Sequence, residues 1–216
     1  MNSSKRERAS AEAAAEAPAE PEAVSVGGRV EVGRLKRPDF KTVRASARQQ
    51  VLERFARLTV GPEEKLRLAA EAVDEAEAEI ERLQPERDAA LASVAFYTTA
   101  RGVDMSAGLA RTGTLRVQRR ALGLGQDAKL PTRAEQPDAA RAAGVRFVPN
   151  ADVELPKVAV AYEAAEARRA TSIEIRDAAV LTLLAAPHSW SQVRIAEAIK
   201  RDFTLVSYIA ATKRKS

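Results

Sequence analysis

Basic side chains gather in blocks along this 216-residue chain, and they are the residues whose types and spacing could do chemistry. The net charge is +6 in residues 29–61, +4 in 101–123 and +4 in 188–216, whereas residues 62–100 carry −6. The whole chain has a net charge of +5 and a pI near 9.7. Positive blocks of this kind favour a polyanionic partner, although each could also be an ordinary solvated surface.

Residue types that serve catalysis or metal binding are scarce. The chain has no cysteine, and His188 is its single histidine. The segment GLGQDAK at 123–129 contains a G-x-G and a lysine but lacks the further glycine and the Ser/Thr of a phosphate loop. We therefore expect a protein that is not an enzyme and that has no metal site and no cofactor. The sequence does not indicate a small-molecule effector.

The composition predicts a cytoplasmic protein. No run of residues approaches the roughly 18 apolar residues that a membrane span needs, and residues 1–23 lack the apolar core of a signal peptide. The absence of cysteine suits a reducing compartment. Residues 1–28 are rich in Ala, Glu, Pro and Ser, so we expect a disordered tail there.

Apolar residues spaced three and four apart predict two consecutive helices within residues 29–83. The first helix begins at Phe40, and the turn TVGP ends it, with Pro62 placed to open the second. A short turn between a basic and an acidic helix favours an antiparallel hairpin. Because a narrow seam buries little area alone, we expect this arm to form a homodimer. The second helix carries a coiled-coil-like seam: Leu66, Ala69, Val73, Ala76, Ile80 and Leu83.

Prolines and glycines divide the middle of the chain. Pro85 lacks an N–H and clashes with the preceding turn, so the helix should kink or restart there. Residues 84–122 then form a separate helical segment. Residues 123–156 are interrupted by several glycines and prolines and are typical of a linker, in which GVRFVP could form one short strand.

A helical pattern resumes at Lys157 and opens the C-terminal part of the chain, residues 157–216. Thr171 and Glu174 match a capping box, which predicts a fresh helix start at Thr171. That helix should end before Pro187.

A weak internal repeat links the two halves. Arg87-Asp88-Ala89-Ala90 recurs as Arg176-Asp177-Ala178-Ala179. Since such identities arise easily in a chain rich in Ala and Arg, duplication and coincidence both remain open. Ungapped continuation of the alignment pairs Ala107 with Ala196 and Arg111 with Lys200, and one gap pairs Thr114-Leu115 with Thr204-Leu205.

Residues 188–215, HSWSQVRIAEAIKRDFTLVSYIAATKRK, have the spacing of two short helices joined by a tight turn. Ser191 can cap a helix that runs to Ile199, and Asp202 can cap a second from Phe203 to about residue 212. Ala196 provides the small side chain that a steep helix crossing needs. This is a helix-turn-helix spacing. Its core would consist of Ile195, Ile199, Val206 and Ile209, completed by Leu181, Leu184 and Trp190.

The order WSQVRIAEAI followed by TLVSYI resembles the helix-turn-helix domains of bacterial repressors and resolvase-type DNA-binding modules, over about residues 171–212. Gln192, Ala196, Val206 and Ile209 fall at the characteristic positions of that family. The chain departs from the family pattern in the turn, where Lys200 replaces the usual glycine. A second departure is Arg201, which stands at a usually apolar position.

The resemblance implies that the helix from Phe203 to Thr212 docks in the major groove of DNA, with Thr204, Ser207 and Tyr208 on its outward face. Phe203 would either contact a thymine methyl or complete the core. The basic stretch at 111–120 would be a second DNA contact or a decayed copy, and Gly108 and Gly113 favour decay. Phosphate contacts would come from Arg194, Lys200, Arg201, Lys213, Arg214 and Lys215, unless these form only a solvated surface.

The sequence thus predicts an all-α fold in which a helical hairpin, a coiled-coil-like arm, is followed by a C-terminal trihelical helix-turn-helix domain. The expected partner is double-stranded DNA. The commonest use of this layout is transcriptional regulation, although chromosome or plasmid organisation would use the same parts. The alternative is a coiled-coil structural or interaction scaffold without sequence-specific DNA binding.

Overall fold

The computed structural model describes residues 25–26 and 28–213 and is mostly helical, as predicted. The expected tail lies almost wholly outside the described residues, but its end forms β1 (Ser25–Val26), which pairs antiparallel with β2 (Arg29–Val30). None of the described helices is both long and apolar enough to cross a membrane. The helices are α1 (Phe40–Ala56), α2 (Pro62–Tyr97), α3 (Val103–Ser106), α4 (Arg111–Ala121), α5 (Gln136–Ala142), α6 (Ala151–Leu184), α7 (Gln192–Ala198) and α8 (Phe203–Lys213).

Two long antiparallel helices, α2 and α6, form the centre of the molecule. Leu66, near the start of α2, packs with Leu183 near the end of α6. Leu91, towards the end of α2, packs with Leu155 near the start of α6. The other elements are arranged around this pair.

The seam of α2 is buried against α6, so the expected antiparallel pairing of α1 with α2 is not the main contact of either helix. α1 lies chiefly along α6, where Arg44 Nε is 2.8 Å from Glu163 Oε2. Val51 and Phe55 of α1 also reach α2. A seam pattern shows that a helix needs a partner, but it does not specify which helix. Because this seam is satisfied within one chain, the reason for expecting a homodimer through the arm is removed.

Neither long helix ends and restarts where the sequence predicted a restart, at Pro85 or at Thr171. α2 continues through Pro85, and Thr171 lies inside α6, where its hydroxyl donates to the carbonyl of Ala167 at 2.8 Å. Residues just beyond Pro85 are buried in the central pair, including Ala90 at 5% and Leu91 at 0% exposure. Packing along the whole helix therefore offsets the roughly 3 kcal/mol that an internal proline costs.

The expected linker at 123–156 is partly structured. Pro137 lies in the first turn of α5, where no N–H is needed, and α6 begins at Ala151, ahead of Pro156. The GVRFVP segment is not a strand; Val145 instead packs beside Tyr97 and Ala140. Pro137 therefore marks a helix start, whereas Pro156 lies inside a helix and its prediction as a turn signal is wrong.

Candidate nucleic-acid interface

The two short helices predicted near the C-terminus are present and are capped as expected. The Ser191 hydroxyl oxygen accepts from the backbone N–H of Arg194 at 3.2 Å. The carboxylate of Asp202 accepts from the backbone N–H of Thr204 at 2.6 Å. Hydrogen bonds from the Thr204 hydroxyl and amide hold the pKa of Asp202 below its usual value, so this cap is ionised at neutral pH.

The inward face of α8 is fixed in a well-packed core. Val206 and Ile209 are 0% and 2% exposed and pack with Ile195 and Ala196 of α7 and with the end of α6. Leu181, Leu184 and Trp190 pack against this cluster from partly buried positions, as the sequence indicated. The cluster also includes Leu66 and Ala70 of α2, so four helices build it instead of three. α8 is therefore supported by the central pair.

The outward face of α8 is open to solvent. Thr204 is exposed, Ser207 is half-buried, and Tyr208 is 66% exposed. Phe203 is 49% exposed and lies outside the core cluster, so it does not complete the core. These four side chains lie along one accessible face of α8, which begins at Phe203.

The predicted phosphate-binding cations divide into two groups. Arg194 and Lys200 are exposed, and the Arg194 guanidinium lies 3.4 Å from the centroid of the Trp190 ring. Arg201 instead pairs with Asp74 and Glu77 of α2, so it holds the turn onto the central pair. Sequence composition did not distinguish this ion pair from a free cation. The Lys213 side chain, Arg214 and Lys215 lie outside the described residues.

Lys200 has a φ of 51°, so the turn between α7 and α8 adopts the left-handed backbone for which the resembled family uses glycine. A side chain in this region costs about 1 kcal/mol. We expect Lys200→Gly to raise the free energy of unfolding by about that amount, measured by urea denaturation. Lys157→Gly, inside α6, is the matched control and should lower it. A destabilising Lys200→Gly would contradict the strain argument.

The stretch before and within α4 repeats the arrangement of two helices joined by a left-handed turn. The sequence favours a decayed copy here. Gly108 has a φ of 71° and lies in the turn between α3 and α4, so it occupies the position of Lys200. In both copies the second helix begins three residues after this turn residue. Thr114 and Val117 are then buried at the positions of Val206 and Ile209. Gly108 thus suits the left-handed turn better than a residue with a side chain does, and it is no sign of decay.

The equivalence extends along the central pair. Several residues of the core at one end of the central pair have a counterpart 89 positions away in the core at the other end: Leu66 and Leu155, Ala90 and Ala179, Leu91 and Val180, Val94 and Leu183. Arg87 and Arg176, also 89 positions apart, are both buried and pair with the following aspartate. We call α3–turn–α4 (residues 103–121) the first unit and α7–turn–α8 (192–213) the second.

The alignment drawn from the sequence is displaced within these units. Equivalent residues are 89 positions apart along α2 and α6 but 92 apart at the turns, so Ala107 corresponds to Ile199 and Arg111 to Phe203, not to Ala196 and Lys200. The apolar positions of α2 and α6 recur at the same offset of 89 as the Arg87-Asp88-Ala89-Ala90 identity, and this recurrence favours duplication over coincidence. No family model, curated protein or solved structure matches this chain.

Proposed function

We propose that this chain binds double-stranded DNA by docking the outward face of α8 in the major groove, and that it acts as a transcriptional regulator. The observation that carries the proposal is the two-sided character of α8. Its inward face is fully buried, whereas Thr204 and Tyr208 on the other side are free to contact a partner. The left-handed turn at Lys200 and the capped starts of both helices favour a helix-turn-helix arrangement.

The side chains of this face have the chemistry that groove recognition uses. Thr204, Ser207 and Tyr208 carry hydroxyls that donate and accept hydrogen bonds to base edges. Phe203, at the exposed start of α8, is suited to the methyl group of thymine. Arg194 is exposed near the start of α7 and is available for phosphate.

The test places negative charge on this face. Ser207→Glu combined with Tyr208→Glu should leave the melting temperature within a few degrees of wild type, because neither side chain is in the core. The two carboxylates would face the phosphates, so affinity for duplex DNA should fall at least about tenfold at low salt, measured by fluorescence anisotropy.

The matched control adds the same two charges elsewhere. Ala178 and Thr182 are exposed on α6, on the side away from the α7 and α8 core, and Ala178→Glu with Thr182→Glu should bind duplex almost as wild type does. If the α8 variant binds no worse than this control, α8 does not dock on DNA.

The exposed aromatic side chains favour a second candidate, an interaction scaffold that binds another protein. Phe203 and Tyr208 are 49% and 66% exposed at the start and middle of α8. Aromatic residues are enriched at protein interfaces. Salt separates the two candidates, because phosphate contacts weaken steeply with ionic strength, whereas an apolar contact does not.

A further inference from the structure

The repeat gives the molecule an approximate two-fold axis. The two-fold axis that exchanges two antiparallel helices must be perpendicular to the plane that contains both helices. Rotation about this axis moves a packed element to the other end of the helix pair but leaves it on the same side of the plane. Each core draws on both central helices, Leu66 with Val180 at one end and Leu91 with Leu155 at the other. The first and second units therefore lie on one face of the α2–α6 pair, at opposite ends.

The spacing of the two cores along α2 is close to one turn of B-DNA. Leu66 lies in the core on which the second unit packs, and Leu91 lies in the core on which the first unit packs. Both leucines belong to the continuous helix α2. Their 25-residue separation corresponds to about 37 Å at the α-helical rise. Paired recognition helices bind half-sites about 34 Å apart, one turn of B-DNA. The two cores on which α8 and α4 pack are thus spaced along α2 by close to one turn of B-DNA.

The exposed face of α4 has stronger nucleic-acid chemistry than that of α8. Arg111, Thr112 and Arg116 are exposed, at the positions of Phe203, Thr204 and Tyr208 in α8. Arginine makes bidentate contacts to guanine and binds phosphate. By contrast, the α8 end also carries the exposed carboxylates of Glu197 and Asp202.

The remaining arginines of α4 serve the fold. Arg119 Nε donates to the carbonyl of Ala128 at 2.7 Å, and Arg120 pairs with Asp88 at 3.3 Å. No ion-pair partner is found for Arg111 or Arg116 among residues 25–26 and 28–213. Two of the four arginines are therefore available to a ligand.

We propose that a single chain binds one duplex with both units, α4 and α8 entering successive major grooves on the same side of the DNA. The inference rests on the proposed function and extends it: the chain is its own two-fold dimer, and Arg111 and Arg116 are DNA-binding residues. Because the α4 and α8 faces carry different side chains, the two half-sites differ in sequence.

The experiment uses the full chain and a duplex selected from a random-sequence library. Hydroxyl-radical footprinting of wild type should show two protected patches about 10 base pairs apart for each bound chain. Arg111→Ala with Arg116→Ala should remove one patch and lower affinity at least about tenfold. The Ser207→Glu and Tyr208→Glu variant should remove the other. Arg67→Ala with Arg82→Ala, on the exposed side of α2, removes the same charge and should change neither.

The outcomes are separable because each unit has its own variant. A single patch with wild type, or an Arg111 and Arg116 variant that binds like the α2 control, overturns the inference and leaves the α8 proposal standing. Loss of binding with the α4 variant alone supports α4 as a DNA-binding helix and overturns docking by α8. If neither variant weakens binding, both proposals are overturned. All variants are checked for wild-type melting temperature.

Discussion

Val206→Asp should unfold the second unit and lower the free energy of unfolding by at least about 3 kcal/mol, because it places an unpaired charge in a closed apolar core. Val206 is 0% exposed and packs with residues of α2, α6, α7 and α8. The loss should appear as a lower melting temperature by circular dichroism and as faster hydrogen exchange of amides 192–212.

Tyr208→Asp is the matched control, since it introduces the same side chain two positions later on the exposed face of α8. It should leave the melting temperature nearly unchanged. If Val206→Asp melts within about two degrees of the control, then α8 does not pack through this face.

Leu66→Ala and Leu155→Ala should each cost about 2–5 kcal/mol, and their costs should be similar. Both leucines are fully buried, and they occupy equivalent positions in the two end cores. The measurement is urea denaturation of the full chain. Leu52→Ala, at a position 38% exposed, should cost much less. A cost below about 1 kcal/mol for one of the two buried leucines would contradict the equivalence of the cores.

Local signals in the sequence located many features of the fold. The apolar period beginning at Phe40 predicted the start of α1, and Pro62 opens α2 as expected. Ser191 caps α7, and Val206 and Ile209 form the inward face of α8. Each of these features depends on neighbouring residues alone, which is why spacing and capping preferences suffice.

Features that depend on distant residues were not accessible in the same way. Pro85 and Thr171 carry strong local signals for a helix break, yet packing of α2 against α6 keeps both helices continuous. The same pairing covers the seam that suggested a dimer. A single sequence indicates that a helix has an apolar face. Which other helix packs against that face depends on the chain topology.

The candidate site was located only in part for a similar reason. Arg201 and Arg116 are both basic residues in basic segments, but Asp74 and Glu77 neutralise Arg201, while Arg116 remains exposed. Gly108 looked unfavourable in a helical stretch and is instead the turn residue of the first unit. Charge and propensity describe residues one at a time, and neither reveals the partner supplied by another helix.

The central claim, that this chain is a DNA-binding protein, is tested most directly by titrating the full chain with duplex DNA over a range of salt concentrations. Phosphate contacts by exposed cations such as Arg194 and Lys200 release counterions, so log affinity should fall linearly with log salt. We expect a loss of about tenfold or more between 50 and 200 mM salt. Absence of binding at low salt, or an affinity that does not change with salt, would contradict the claim.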